Sequence, residues 1–239
     1  MRGRPRTVEV AGITDRGTTR AENQDRWSAT QLEGGALLVV CADGMGGHRG
    51  GGEAATVAVD AAVLAIAAAG DPHRALEEAF RAAGSAVLRI RTAGERSGTT
   101  LVAAVVSPGR TTVANVGDSR AYLLRDGRIS QITVDHSWVA AAVARGHLDA
   151  GLAASHPGRG HLLRAITGDP VEVDVFRVRS LAGDVLVVCT DGVWTVLGDA
   201  VLAASFPAAG RLPDQVERVC RGALTAGSRD NVTVVACRM

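Results

Sequence analysis

The chain has 239 residues, with 26 basic and 25 acidic side chains, a net charge of +1, and no lysine, so every basic residue is arginine. Hydrophobic residues make up 46% and aromatics only 3%. This apolar, charge-balanced composition excludes a disordered chain, and it lacks the basic excess and the stacking aromatics of a nucleic-acid binder.

In chain order, residues 7–13 and 26–30 read as short strands around a polar loop. Residues 36–41, ALLVVC, are a continuous apolar run that ends at Asp43-Gly44, as a buried strand feeding a turn does. Residues 53–69 are Ala-rich with helical spacing. A second helix is predicted from Asp71-Pro72 to about residue 91, with Asp71 as its cap and Pro72 in its first turn. Strands follow over 99–106, 111–116 and 119–125, and Asp126-Gly127 signals a hairpin to 128–132. Residues 137–160 read as helix and loop. Strands resume over 172–178 and 184–189, then a helix over about 213–226 and a closing strand over 231–237. Hairpins argue against a doubly wound parallel sheet and for an α+β sandwich of antiparallel sheets with helices outside.

Without a linker or a repeat, residues 8–239 read as a single domain behind a basic tail at 1–7. The most apolar segment, 54–69, is short of the ~20 residues of a membrane span and carries Asp60. No apolar signal core follows the basic N-terminus. Cys41, Cys189, Cys220 and Cys237 form no C-x-x-C pair, and the expectation is reduced, structural thiols in a cytoplasmic protein.

The chemistry begins with an echo. Residues 37–44 read LLVVCADG and residues 186–192 read LVVCTDG, so two similar buried strands each deliver an Asp followed by Gly. Two further loops, NVGDSR at 115–120 and GSRDNVT at 227–233, place Asp at a turn beside a strand. With Asp25, five aspartates stand at loop–strand junctions. Any one of them is an ordinary turn residue, but the set suits a hard divalent cation such as magnesium or manganese. The lack of Cys/His clusters argues against zinc. The glycine-rich segment 43–53, DGMGGHRGGGE, has no G-K-[ST] and breaks G-x-G-x-x-G at Arg49, so it is not a nucleotide loop. Its His48 reads either as a general acid or phosphate contact, or as a surface or outer-shell residue.

Six motifs in order, Arg20-Ala-Glu-Asn-Gln-Asp25, Asp43-Gly-Met-Gly-Gly-His48, Ser97-Gly-Thr-Thr100, Val116-Gly-Asp-Ser-Arg120, Thr190-Asp-Gly192 and Arg229-Asp-Asn231, resemble the metal-dependent (type 2C) serine/threonine protein phosphatases. Asp135-His136-Ser137 and His156-Pro157 resemble the bacterial members' segment leading into the flap, here about 137–160. The resemblance spans about residues 8–238. It implies a four-layer α-β-β-α sandwich with a two-metal centre of Mn2+ or Mg2+ between the sheets. Asp43 is then expected to bridge both ions and the Gly44 carbonyl to bind one, with Asp191 and Asp230 holding the other. Asp118 resembles the ligand that joins Asp191 in recruiting a third ion. Arg20 matches the arginine that grips the substrate phosphate, and Asp25 a partner that orients water. Ser155 falls in the flap.

The implied reaction is hydrolysis of phosphoserine and phosphothreonine on proteins by a metal-activated water, opposing a bacterial Ser/Thr kinase. The implied enzyme is a cytoplasmic monomer without membrane or nucleic-acid partners. Three positions depart from the pattern. Met45 stands where eukaryotic members often have a proton-donating His, which leaves His48 or water on a third ion as the acid. Gln24 stands where many members have Glu, and residues 140–154 are Ala-rich and poor in acidic side chains, which implies unusual substrate choice. The alternatives are a catalytically weak regulatory or binding member of the fold, a phosphatase of an anti-sigma-factor antagonist, and a DNA contact through Arg2-Gly-Arg-Pro5, which resembles the core of a minor-groove hook.

Overall fold

Strand β3 (Leu37–Ala42) shows why the chain stacks in layers. All six of its residues are buried, because its two faces are both covered. Leu38, Val40 and Ala42 meet helices on one side, and Leu37, Val39 and Cys41 meet a second sheet on the other. A strand buried on both faces reads as an unbroken apolar run. The computed structural model describes residues 8–46, 50–91, 97–153 and 155–239. The basic tail at 1–7 and His48 lie outside the described residues.

One sheet runs β1 (Glu9–Asp15), β12 (Val232–Arg238), β11 (Val185–Cys189), β8 (Arg120–Arg125), β9 (Arg128–Gln131). The other runs β10 (Asp174–Val178), β7 (Arg110–Val116), β6 (Leu101–Ser107), β3, β2 (Arg26–Gln31). A small ribbon pairs β4 (Gly44–Met45) with β5 (Gly98–Thr99). Every one of these pairings is antiparallel. Helices α1 (Gly50–Ala67) and α2 (Leu76–Ile90) cover the second sheet. The short helices α5 (Asp191–Trp194) and α6 (Asp199–Ala204) lie with α7 (Leu212–Thr225) on the first. The result is the expected four-layer α-β-β-α sandwich. Helices α3 (Trp138–Ala144) and α4 (Ala150–Ala153) belong to the segment expected to form the flap.

Helix α1 is long and apolar enough to cross a membrane by length and composition alone. Here it packs on the sheet instead, burying Ala54, Ala55, Ala58, Val59, Ala62 and Ile66 along one stripe at helical spacing. The four cysteines are free and buried, as expected. At the hairpin, Asp126 (φ 51°) and Gly127 (φ 74°) are both left-handed, as a two-residue type I′ turn requires.

Three readings of local structure are corrected. Helix α2 starts at Leu76, because Asp71 makes its own turn: its Oδ1 accepts from the His73 N–H at 3.0 Å and its carbonyl from the N–H groups of Arg74 and Ala75. The apolar run at 99–106 is split between β5 and β6. Helices α5 and α6, of four and six residues, are too short to show a helical period and were not expected.

Candidate metal centre

The strand ends bring the acidic residues together. Asp43 leaves β3, Asp191 leaves β11 and opens α5, Asp118 lies in the turn between β7 and β8, and Asp230 precedes β12. All four line one cavity of about 480 Å³, together with Arg20, Gln24, Gly44, Met45 and Thr100. Asp25, 1% exposed, lies beneath them.

Hydrogen bonds to the backbone hold these carboxylates in place. The Asp43 N–H donates to Thr100 Oγ1 at 2.9 Å, while its carbonyl accepts from the Thr100 N–H and from Thr99 Oγ1, each at 2.9 Å. Thr100 Oγ1 also bonds Ser119 Oγ at 2.7 Å, which ties the Asp43 strand end to the Asp118 turn. Gly117 in that turn has φ +110°, and a Cβ there would lie 2.6 Å from Thr100 Cβ. The Asp118 carbonyl accepts from Trp194 Nε1 at 3.0 Å. Gly44 has no room for a side chain either: a Cβ would meet the Gly51 carbonyl and lie 2.7 Å from that of Gln24. Gly51 in the first turn of α1 is equally tight, since a Cβ there would lie 2.9 Å from the Gly44 carbonyl.

Burial and mutual repulsion strain the acids electrostatically. Burial, with the neighbouring Asp25, Asp191, Asp118 and Asp230 charges, pushes Asp43 well above the ordinary carboxylate range. Burial and the Asp191 charge push Asp118 up to about 8. Asp191 is pushed up to about 6 by burial and Asp230, although a hydrogen bond from Asp43 and the nearby arginines Arg20 and Arg159 resist this. Burial lifts Asp25 to about 7 against the hydrogen bonds its Oδ2 accepts from Thr233 Oγ1 at 2.6 Å and Thr190 Oγ1 at 2.8 Å.

Two buried oxygens, Asp191 Oδ1 and Asp25 Oδ1, have no hydrogen-bond partner. Such groups are costly in a dry site unless a cation or water meets them. Among the described residues no three His, Cys, Asp or Glu side chains already stand in position to hold one ion. Asp230 Oδ2 is paired with Arg20 at 2.6 Å. The donor chemistry nevertheless fits a hard divalent cation: carboxylate and carbonyl oxygens, excess negative charge and an unpartnered oxygen in one cavity.

Arg20 is about half exposed and sits at the rim on Asp230. Its loop is pinned by Asn231, whose Nδ2 donates to the Arg16 and Glu22 carbonyls at 2.8 and 3.0 Å and whose Oδ1 accepts from the Gln24 N–H at 2.9 Å. Ser155 lies away from the cavity, exposed, and donates to the Leu152 carbonyl. The positioning roles of Thr99, Thr100, Thr190, Thr233 and Asn231 were not read from the sequence. Thr99, Thr100, Thr190 and Asn231 stood inside the quoted motifs, and that placement was the available signal.

Comparison with known proteins places the chain among its relatives. The family model described as protein phosphatase 2C matches residues 16–225. The chain is 38% identical over 237 residues, 95% of its length, to the serine/threonine protein phosphatase PstP of Mycobacterium tuberculosis, and spans 44% of that relative's length. It is 32% identical over 232 residues to the serine/threonine phosphatase stp of Listeria innocua, covering 93% of this chain and 92% of that one. Among solved structures, the catalytic domain of PstP in complex with two manganese ions superposes with a TM-score of 0.85 at 32% identity, over 97% of each chain. On the family model and these identities, the chain belongs to the protein phosphatase 2C family.

Proposed function

We propose that the chain is a divalent-metal-dependent protein serine/threonine phosphatase that hydrolyses phosphoserine and phosphothreonine on proteins, opposing a bacterial Ser/Thr kinase in the cytoplasm and acting as a monomer. The observation that carries the reading is the convergence of Asp43, Asp118, Asp191 and Asp230 on one cavity beside Arg20, with a buried Asp191 oxygen lacking a partner.

In this reading Asp43, the Gly44 carbonyl, Asp191 and Asp230 would hold two Mn2+ or Mg2+ ions, and Asp118 with Asp191 would support a third. When bound, such ions supply the positive charge that activates water and offsets charge on the phosphoryl group. Arg20 then leaves Asp230 and turns its guanidinium to the phosphate oxygens, where a planar fork of donors fits best. Asp25, anchored by two threonine hydroxyls, keeps its free oxygen for orienting water.

In this reading the nucleophile is water, because the cavity aspartates serve as metal ligands and the available hydroxyl is already engaged. Among the described residues lining the cavity the one hydroxyl is that of Thr100, and it is engaged by Asp43 and Ser119. Met45 has no proton to give, so the leaving alkoxide takes its proton from water or from His48.

The test is phosphate release from p-nitrophenyl phosphate and from phosphothreonine peptides, with manganese and with chelator. Turnover that requires the metal supports the reading. Turnover unaffected by chelation, or no turnover with any divalent ion, overturns it in favour of a regulatory member of the fold.

A further inference from the structure

His136 is buried (7% exposed) and belongs to none of the roles above. Its backbone and side-chain contacts join two parts of the molecule. Its N–H donates to the Gly117 carbonyl at 2.9 Å, and its ring Nδ1 accepts from the Gly117 N–H at 3.1 Å. Gly117, the residue before Asp118, is therefore gripped at both its N–H and its carbonyl. On the other side, the His136 carbonyl accepts from the Leu163 N–H at 2.7 Å, and Nε2 lies 3.2 Å from Asp174 Oδ2.

These contacts fix the tautomer. Nδ1 accepts a proton bond, so the ring proton is on Nε2 and points at Asp174. Arg164 stands 3.3 Å from Nε2 but directs its donor to Asp174 Oδ1 at 2.8 Å. Burial would raise Asp174, yet the hydrogen bonds from His136 and Arg164 hold it below the usual carboxylate range. The carboxylate–imidazole–amide chain is thus satisfied at every link. The adjoining backbone pairs Trp138 N–H with the His161 carbonyl at 2.8 Å and bridges Ser137 to Leu162, closing the base of the 137–160 segment.

We propose that His136 is a positioning residue: it bolts the backbone of Gly117 to the closed base of the 137–160 segment, and so holds the Asp118 carboxylate at the cavity wall in the geometry a divalent cation needs. This inference rests on the reading of Asp118 as a metal ligand. Outer groups that orient a ligand commonly change metal affinity about 10–100-fold when removed.

Two substitutions separate the links. In H136N the amide oxygen occupies the place of Nδ1 and keeps the bond to Gly117. In H136Q the amide reaches the place of Nε2 and loses that bond. Exchange of the Gly117 amide proton is measured in the metal-free protein, and manganese binding is followed by calorimetry. The expected result is a slow Gly117 amide in wild type, about tenfold or more faster exchange in H136Q with about tenfold weaker binding at the weakest manganese site, and near wild-type values for both in H136N. A Gly117 amide that exchanges as fast as open loop amides in wild type overturns the proposal. So does equal weakening of manganese binding by both variants, or none by either. If H136Q does not fold, the wild-type amide and H136N decide alone. Wild type that binds no manganese at all is a different outcome, since it removes the metal-centre reading and this inference with it.

Discussion

The aspartate cluster makes stability depend on pH in an unusual direction. Asp25, 1% exposed, is lifted from 3.8 to about 7, mainly by burial. A carboxyl with a raised folded-state pKa holds its proton more tightly when folded. Its contribution is complete below the unfolded value and is lost as pH rises through the folded value. Between pH 5 and 8, Asp25 alone therefore costs the metal-free protein about 2–3 kcal/mol. At ~2–4 °C per kcal/mol for a chain of this size, Tm falls by about 5–10 °C. Asp118 and Asp191, lifted to about 8 and about 6, act in the same direction. Asp174 and Asp184, held low by Arg164, His136 and Arg125, have already made their contribution above about pH 4 and leave the slope in this window unchanged. A divalent ion binds the deprotonated carboxylates, so its stabilisation grows with pH, and at about 100 times its Kd it contributes about 2.7 kcal/mol. The assay is calorimetric melting from pH 5 to 8 in chelator and in saturating manganese. A Tm in chelator that is flat or rises across this range, or a manganese increment that does not widen with pH, refutes the reasoning.

Other substitutions probe the same framework. Asp191→Asn is expected to abolish metal-dependent phosphate release while raising the metal-free Tm at pH 8, because it removes one of the repelling charges; enzyme assay and melting check both halves. Gly44→Ala forces a methyl group against the Gly51 and Gln24 carbonyls, and is expected to cost about 2–4 kcal/mol in urea unfolding. Asn231→Ala removes the three hydrogen bonds that pin the Arg20 loop, with an expected loss of about 1–3 kcal/mol and a raised KM for phosphopeptide in steady-state kinetics. Arg20→Ala is expected to raise KM and lower kcat together, since the guanidinium meets phosphate in both ground and transition states.

The strands were legible because their burial is written into short-range pattern. The unbroken apolar runs of β3 and β11 announced strands covered on both faces, and Asp126-Gly127 announced a turn with two left-handed residues. Asp43 and Asp191 were visible because each ends such a run. The supports of those carboxylates were harder to see. Thr99 and Thr100 reach back more than fifty residues to Asp43, and Thr233 reaches 208 residues to Asp25. Hydrogen bonds of that separation leave no local period. Asp71 misled for the opposite reason: its side chain satisfies a local turn at His73, so a good capping residue was used five residues before the helix began. The pairing of Arg20 with Asp230 was also invisible, because the motifs name the residues and not their partners.

The most direct test is a crystal structure grown with manganese, with the ions located by anomalous scattering. The account predicts at least two ions in the cavity, held by Asp43, the Gly44 carbonyl, Asp191 and Asp230, with Asp191 Oδ1 now on metal and Arg20 released from Asp230. An anomalous map with no ion among these residues, and Arg20 still paired to Asp230, would contradict it.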